Sequence, residues 1–314
     1  MEKSIAQVCF VLPYFGQFPP WFPGFLLSCE HNPGIHWLIL TDIDPLPQDF
    51  PENVIFEHLT FQELQDRLVQ LIDVPVDFAQ PHKLCDVKPL YGALFEERLK
   101  DYQYWGHCDL DLIWGDIEGL LKRINYEQYD VISSRQETIS GHFTLYKNKP
   151  ELRDYFREVP NYQKVFITGH YEGFDEGYFA YHLYKNHEKD GLKVYWPRKF
   201  GVDWGELDYR PLGWTWSNGK ILDSSRTERE YLHFMKWKKE LKHCVSISEL
   251  KQVNAFEINH YGLWTNRISS GLRFILRKEQ LIGKINRLVQ KFTSRVGNPP
   301  QNPSTIPWEY REIK

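Results

Sequence analysis

Between Trp105 and Asp116 the chain reads Trp-Gly-His-Cys-Asp-Leu-Asp-Leu-Ile-Trp-Gly-Asp, which sets two carboxylates, Asp109 and Asp111, one residue apart inside an apolar run. An ionised carboxylate taken out of water is costly unless a positive partner meets it. In a strand successive side chains point to opposite faces, so Asp109 and Asp111 are expected on one side, near enough to share a cation. Anionic oxygen ligands suit a hard ion such as magnesium or manganese and do not suit a structural zinc. The same pair also fits a capping or turn role, or the nucleophile and acid of a phosphatase.

The rest of the chain supplies a frame for that pair. Residues 8–12 and 35–40 are continuous apolar runs that stop at Pro13-Tyr14-Phe15-Gly16 and at Thr41-Asp42, as buried parallel strands do. A short helix fits between them over 21–29, a third strand over 54–56, and a helix over 61–72 through Leu64, Leu68 and Leu71. This β-α-β-α order predicts an α/β fold with a mainly parallel sheet covered by helices, and sheets of that kind bind ligands at the carboxyl ends of their strands. A helix over 84–99, interrupted by Pro89, leads into the strand that carries the acidic pair; Asp116 caps a helix over 117–124. Further strands are expected over 129–133, 142–146 and 194–196, a helix over 175–186, and an Asn218-Gly219 hairpin over 214–222.

Five widely spaced cysteines without a CxxC pair read as reduced thiols, and residues 5–12 are too short and broken for a signal peptide, so a cytoplasmic location is expected. Aromatic residues make up 16% of the chain, enough to suggest stacking surfaces for sugars or bases as well as core packing.

The order of these segments resembles the nucleotide-sugar glycosyltransferases of the GT-A fold, and more closely an uncharacterised bacterial group associated with cell-surface polysaccharide synthesis, over roughly residues 8–238. The resemblance implies a catalytic domain over 1–240 and a sugar moved from a nucleoside diphosphate donor to a glycan or lipid-linked acceptor. It implies that Asp109, Asp111 and His233, the last in Tyr231-Leu232-His233-Phe234, hold manganese or magnesium. Pro13, Tyr14, Phe15, Thr41, Asp42, Lys83, Asp86, Lys88 and Leu110 then lie at the donor, with Lys236 or Lys238 near its phosphates. Ser140-Gly141-His142-Phe143-Thr144 resembles the strand bordering the sugar, and Asp175 or Glu176 the base that activates the acceptor hydroxyl. Retaining relatives often carry Asp-Gln where this chain has Asp175-Glu176, and inverting relatives place a base nearby, so the resemblance leaves both outcomes open, with inversion the preferred expectation. On residue type alone, His233 also suits a core histidine, Asp175 a helix cap, and Lys83 and Lys88 solvated charges. A haloacid dehalogenase-type phosphatase expects its Asp pair after the first strand, unlike this chain; a non-catalytic carbohydrate-binding protein on the same fold is the third reading.

Residues 264–296 carry a net +7, which leaves the rest of the −4 chain strongly acidic. Leu272, Ile275, Ile282, Ile285, Val289 and Phe292 recur at helical spacing among Arg273, Arg277, Lys278, Lys284, Arg287, Lys291 and Arg295. A helical extension over 241–297 is therefore expected, its basic helix over 268–296 either lying on a membrane surface or packing on the domain. An irregular tail over 298–314 follows. Nucleic acid is not an expected partner, since the acidic body offers no basic groove.

Overall fold

Alternation along the first strand explains how the layers form. In β1 (Val8–Pro13) the side chains of Cys9 and Val11 meet Leu64, Leu68 and Ile72 of the helix Phe61–Ile72. Val8, Phe10 and Leu12 point the other way, against Phe22, Phe25 and Leu26 of the helix Phe22–Glu30. A strand covered on both faces has no polar side, hence the unbroken apolar run. The helix Phe22–Glu30 has a Pro in its opening turn, where a missing N–H costs nothing. The helix Phe61–Ile72 opens on a reciprocal Thr60–Glu63 capping box.

A computed structural model describes residues 7–265 apart from 80, 136–137, 198–201, 204–212, 224 and 236, together with 274–278, 281–282 and 285. In chain order the further strands are β2 (Ile35–Thr41), β3 (Val54–His58), β4 (Tyr104–Cys108), β5 (Leu112–Trp114), β6 (Val131–Ser133), β7 (Phe143–Lys147) and β8 (Val194–Tyr195). They continue as β9 (Val202–Asp203), β10 (Trp214–Ser217), β11 (Lys220–Leu222), β12 (Glu228–Arg229), β13 (Tyr231–His233), β14 (Ala255–Asn259) and β15 (Gly262–Trp264). The large sheet has the order β3-β2-β1-β4-β7-β6-β8 and is parallel except where β7 pairs with β4 and β6. The fold is thus mixed α/β, with a mostly parallel sheet flanked by helices. A small sheet, β5-β13-β9, and an antiparallel sheet, β12-β11-β10-β14-β15, complete it.

Three features differ from the sequence expectation. The acidic pair does not lie in a strand: β4 ends at Cys108 and β5 starts at Leu112, so Asp109 to Asp111 form a bend where the chain leaves the large sheet for the small one. The indole N–H of Trp21 donates to the Leu110 carbonyl (2.9 Å) and holds that bend. The expected helix over 84–99 is a succession of short turns, broken at Pro89 and again at Phe95. Beyond residue 240 the chain is not purely helical, because β14 pairs with β10 and β15 with β14, giving one sheet whose strands lie on both sides of the expected boundary. The abundant tryptophans serve mainly as core: Trp37, Trp105, Trp114, Trp214, Trp216 and Trp237 are fully buried. All five cysteines are free, and no helix among the described residues is long and apolar enough to cross a membrane. The tail over 298–314, and most of the helix expected over 268–296, lie outside the described residues.

Gly106 sits at the middle of this construction. A methyl group there would lie 2.3 Å from the Thr144 carbonyl oxygen of β7 and 2.6 Å from the Leu145 side chain, so β4 and β7 close on each other only over a glycine. Gly106→Ala is expected to lower unfolding free energy by roughly 1–3 kcal/mol, measured by urea titration; an unchanged midpoint would refute the close approach.

Candidate active site

The carboxyl ends of β1, β2 and β4 lie side by side, which places Tyr14, Asp42 and the acidic bend along one edge. His233 joins them because β13 runs antiparallel to β5, with His233 opposite Leu112 and the Phe234 N–H donating to the Asp111 carbonyl (3.1 Å). One oxygen each from Asp109 and Asp111 and one ring nitrogen of His233 all lie within 4.8 Å of one another. Ligands of a magnesium-sized ion at about 2.1 Å are at most about 4.2 Å apart, so a small inward movement of the side chains lets all three share one ion. Two carboxylates and an imidazole are a fitting donor set for manganese or magnesium.

Positive charge brackets the cluster. Lys238 Nζ lies 2.7 Å from Asp111 Oδ2, and His233 Nε2 lies 3.5 Å from Oδ1. Burial favours the neutral acid at Asp111, yet His233 and Lys238 outweigh it and hold the carboxyl well below its usual range. Lys88 Nζ donates to Asp109 Oδ1 (2.6 Å) and to the Gly141 carbonyl (2.8 Å). Burial would lower the Lys88 pKa, but the Asp109 carboxylate reverses this and raises it. Asp111 is almost fully buried and Asp109 a third exposed, so only the latter offers an open approach.

Residues 140–142 tie the remaining groups together. The His142 ring stacks on His233 with centroids 4.1 Å apart, and is held by Ser140 Oγ (2.7 Å) and Tyr231 OH (2.9 Å). Such outer contacts fix the plane of a ligating imidazole. The Gly141 N–H donates to Glu176 Oε1 (2.7 Å), whose carboxylate also pairs with Arg135 (3.1 Å). Asp175 and Glu176 sit in a π-helical turn, Phe174–Phe179, instead of the regular helix expected there. Asp175 is almost fully buried and receives the Tyr171 hydroxyl on Oδ1 (3.1 Å). Burial raises its pKa to about 7; Lys88 opposes the shift and the charge of Glu176 adds to it.

Other expected donor residues have different places. Asp86 is fully buried, accepts the N–H groups of Glu172 (2.9 Å) and Phe174 (2.7 Å) and pairs with Lys83 (3.0 Å). Lys83 also donates to the Val165 carbonyl and has no exposed surface. The two therefore clamp residues 165–174 and so set the position of Asp175; they do not face a ligand, because both are spent on internal partners. Lys88 reaches the site through Asp109. Tyr14 lies close enough to Lys238 and Asp111 to feel both charges, while Phe15 packs edge-on against Phe61 (5.2 Å). Pro13 ends β1, the buried Thr41 accepts the Ile43 N–H (3.2 Å), Asp42 is exposed, and Leu110 turns into the core. Lys236 lies outside the described residues, and Lys238 is the lysine at Asp111. Trp21 and Arg135 carry no sequence signal for their roles, since each acts on the site through residues distant in the chain.

This site defines the class: an α/β protein with a cation-fitting Asp-Asp-His cluster at the carboxyl edge of its sheet. The chain belongs to DUF6625, a family of unknown function, which matches residues 10–266. No curated protein matches it. Among solved structures it is similar to the apo form of mouse xyloside xylosyltransferase 1, with 10% identity, 62% of this chain and 85% of that chain covered, and a TM-score of 0.33. That likeness is too distant to carry an argument.

Because Asp175 binds its proton more tightly when folded, its contribution to stability is present below the ordinary carboxyl pKa of 3.8 and is lost as pH rises to about 7. Asp175→Asn is expected to be more stable than the parent at pH 8, by roughly 1–3 kcal/mol, with a smaller gap at pH 5. Urea unfolding at both pH values measures it, and a pH-independent gap contradicts the shifted pKa.

Proposed function

We propose that this chain is a metal-dependent glycosyltransferase that takes a sugar from a nucleoside diphosphate donor. The observation that carries the reading is the convergence of Asp109, Asp111 and His233 at the carboxyl edge of the sheet, with Lys238 beside them and Asp175 behind Gly141. The order of these residues in the chain, which resembles that of GT-A enzymes, supports it further.

Departure of a nucleoside diphosphate leaves negative charge on its phosphates. A divalent ion held by Asp109, Asp111 and His233 would supply Lewis-acid stabilisation of that charge. Lys238, a third exposed, adds a mobile cation at the same place. Tyr14, half-buried next to Lys238, offers a ring face along the donor edge. Lys88 pairs with Asp109 and fixes Gly141, and the Gly141 N–H in turn orients Glu176.

Asp175 is assigned as the group that accepts the proton of the acceptor hydroxyl. Its pKa near 7 suits a general base working at neutral pH. Glu176 is held by Gly141 and Arg135, and its charge helps raise the Asp175 pKa, so it positions the base. With the base on the acceptor side the transfer is inverting. The acceptor we propose is a glycan or lipid-linked glycan of cell-surface polysaccharide synthesis, and the location cytoplasmic.

Calorimetry with UDP and other nucleoside diphosphates, with and without manganese, tests the assignment. Metal-dependent binding to at least one of them is expected, weakened about tenfold or more by Asp111→Asn; no binding to any nucleotide would sink the proposal. With the donor found, kcat/KM should rise with pH through about 7, and Asp175→Asn should lose about 10²–10⁴-fold in kcat while nucleotide affinity is kept.

A further inference from the structure

We propose that the acceptor hydroxyl gives its proton to the Tyr171 hydroxyl, which passes its own proton on to Asp175, so that Tyr171 is the group that touches the acceptor. This role rests on the glycosyltransferase reading and on Asp175 as its base. Asp175 is 2% exposed, and its carboxyl is enclosed on two sides. Gly141 closes on one oxygen, since a methyl group there would lie 3.0 Å from Asp175 Oδ2. The other, Oδ1, already receives the Tyr171 hydroxyl (3.1 Å). A base enclosed in this way acts on a substrate through a group that reaches outward. Tyr171 is only partly buried, and the ring beside it, that of His82 with centroids 4.3 Å apart, is exposed.

The local build keeps this pair in register. Between Tyr171 and Asp175 the chain passes through Gly173, at φ +75°, and enters the π-helical turn. Asp86 accepts the N–H groups of Glu172 and Phe174, the two residues that flank Gly173. The buried Lys83–Asp86 pair thus fixes the hydroxyl against the carboxyl. A phenol oxygen donates one proton and accepts on its lone pairs, so Tyr171 can take a proton on one side while giving one on the other. In the step, the acceptor O–H proton moves to the Tyr171 oxygen as the Tyr171 proton moves to Asp175 Oδ1. The acceptor oxygen bonds to the anomeric carbon, and the bond from that carbon to the diphosphate oxygen breaks, its electron pair leaving with the diphosphate. Tyr171 is neutral before and after, as its surroundings require, because burial and the charges of Asp175 and Glu176 oppose its ionisation.

Tyr171→Phe, which removes one oxygen and keeps the ring, tests the relay. Its kcat is expected to fall about 10²-fold or more, with metal-dependent nucleotide affinity and melting temperature unchanged. The rise of kcat/KM through about pH 7 should disappear with it, because the base is then disconnected from the acceptor. Lys88, Glu176 and Asp86 face Asp175, while Glu176, Cys85 and the exposed His82 lie around Tyr171. His82→Gln should keep the pH rise, which assigns it to Asp175. The relay is refuted if Tyr171→Phe turns over like the parent, or if it loses activity but retains the pH rise, as a merely positioning tyrosine would. It is also refuted if His82→Gln abolishes the rise, since the imidazole is then the base. Absence of nucleotide binding by the parent removes the glycosyltransferase reading and the relay together, whereas binding and transfer with any of these three outcomes removes the relay alone.

Discussion

Two carboxylates held almost out of water, Asp111 and Asp175, govern how this end of the molecule is built. A bare ionised group in such surroundings costs several kcal/mol, and the chain meets that cost in opposite ways. Asp111 has the His233 ring on one side and the Lys238 ammonium on the other, and stays ionised. Asp175 is buried without an ion-pair partner of its own among the described residues and has a like charge at Glu176, which together outweigh Lys88, so it retains its proton to a much higher pH. Two aspartates of one protein are thus driven apart in acidity by their neighbours alone, the pattern expected where one must bind a cation and the other must trade a proton.

Lys88, Gly141 and His142 join the two halves. Lys88 spans from Asp109 to the Gly141 carbonyl, the Gly141 N–H continues to Glu176, and the next residue stacks its ring on His233. A methyl group at Gly141 would stand 3.0 Å from oxygens of both Asp175 and Glu176, which is why a side chain is missing there. The buried Lys83–Asp86 pair fixes the segment that leads into Asp175 from the opposite side.

Much of the fold was legible in the sequence because buried strands announce themselves as apolar runs: residues 8–12, 35–40 and 54–56 each gave a strand of the large sheet. The helix Phe61–Ile72 was readable to the residue from its apolar stripe, and the structure adds a capping box at its start. Asp109, Asp111 and His233 were legible as a group through the resemblance of their segments, yet the reason they face one another was not. Strand alternation was the wrong device; a bend pinned by Trp21 does the work, and a hydrogen bond spanning 89 positions leaves no local pattern. Lys83 and Asp86 were placed at the donor by the resemblance of their segment to the glycosyltransferase landmarks. Their mutual pairing, invisible in one dimension, sends them inward. The strands β14 and β15 were missed for a related reason: each is stabilised by a partner in the antiparallel sheet and not by its own composition.

The bend from Asp109 to Asp111 also bridges two sheets whose registers are fixed independently, β4 by its neighbours in one and β5 by β13 in the other. Side chains in a strand alternate, so a single inserted or deleted residue here would turn β5 over or drag Asp111 away from His233. The spacing between Cys108 and Leu112 is therefore as constrained as the chemistry it carries. Substitutions at Leu110 can be absorbed by the core that receives it, whereas a change of length cannot be absorbed anywhere, and natural variation in this segment should be confined to side chains.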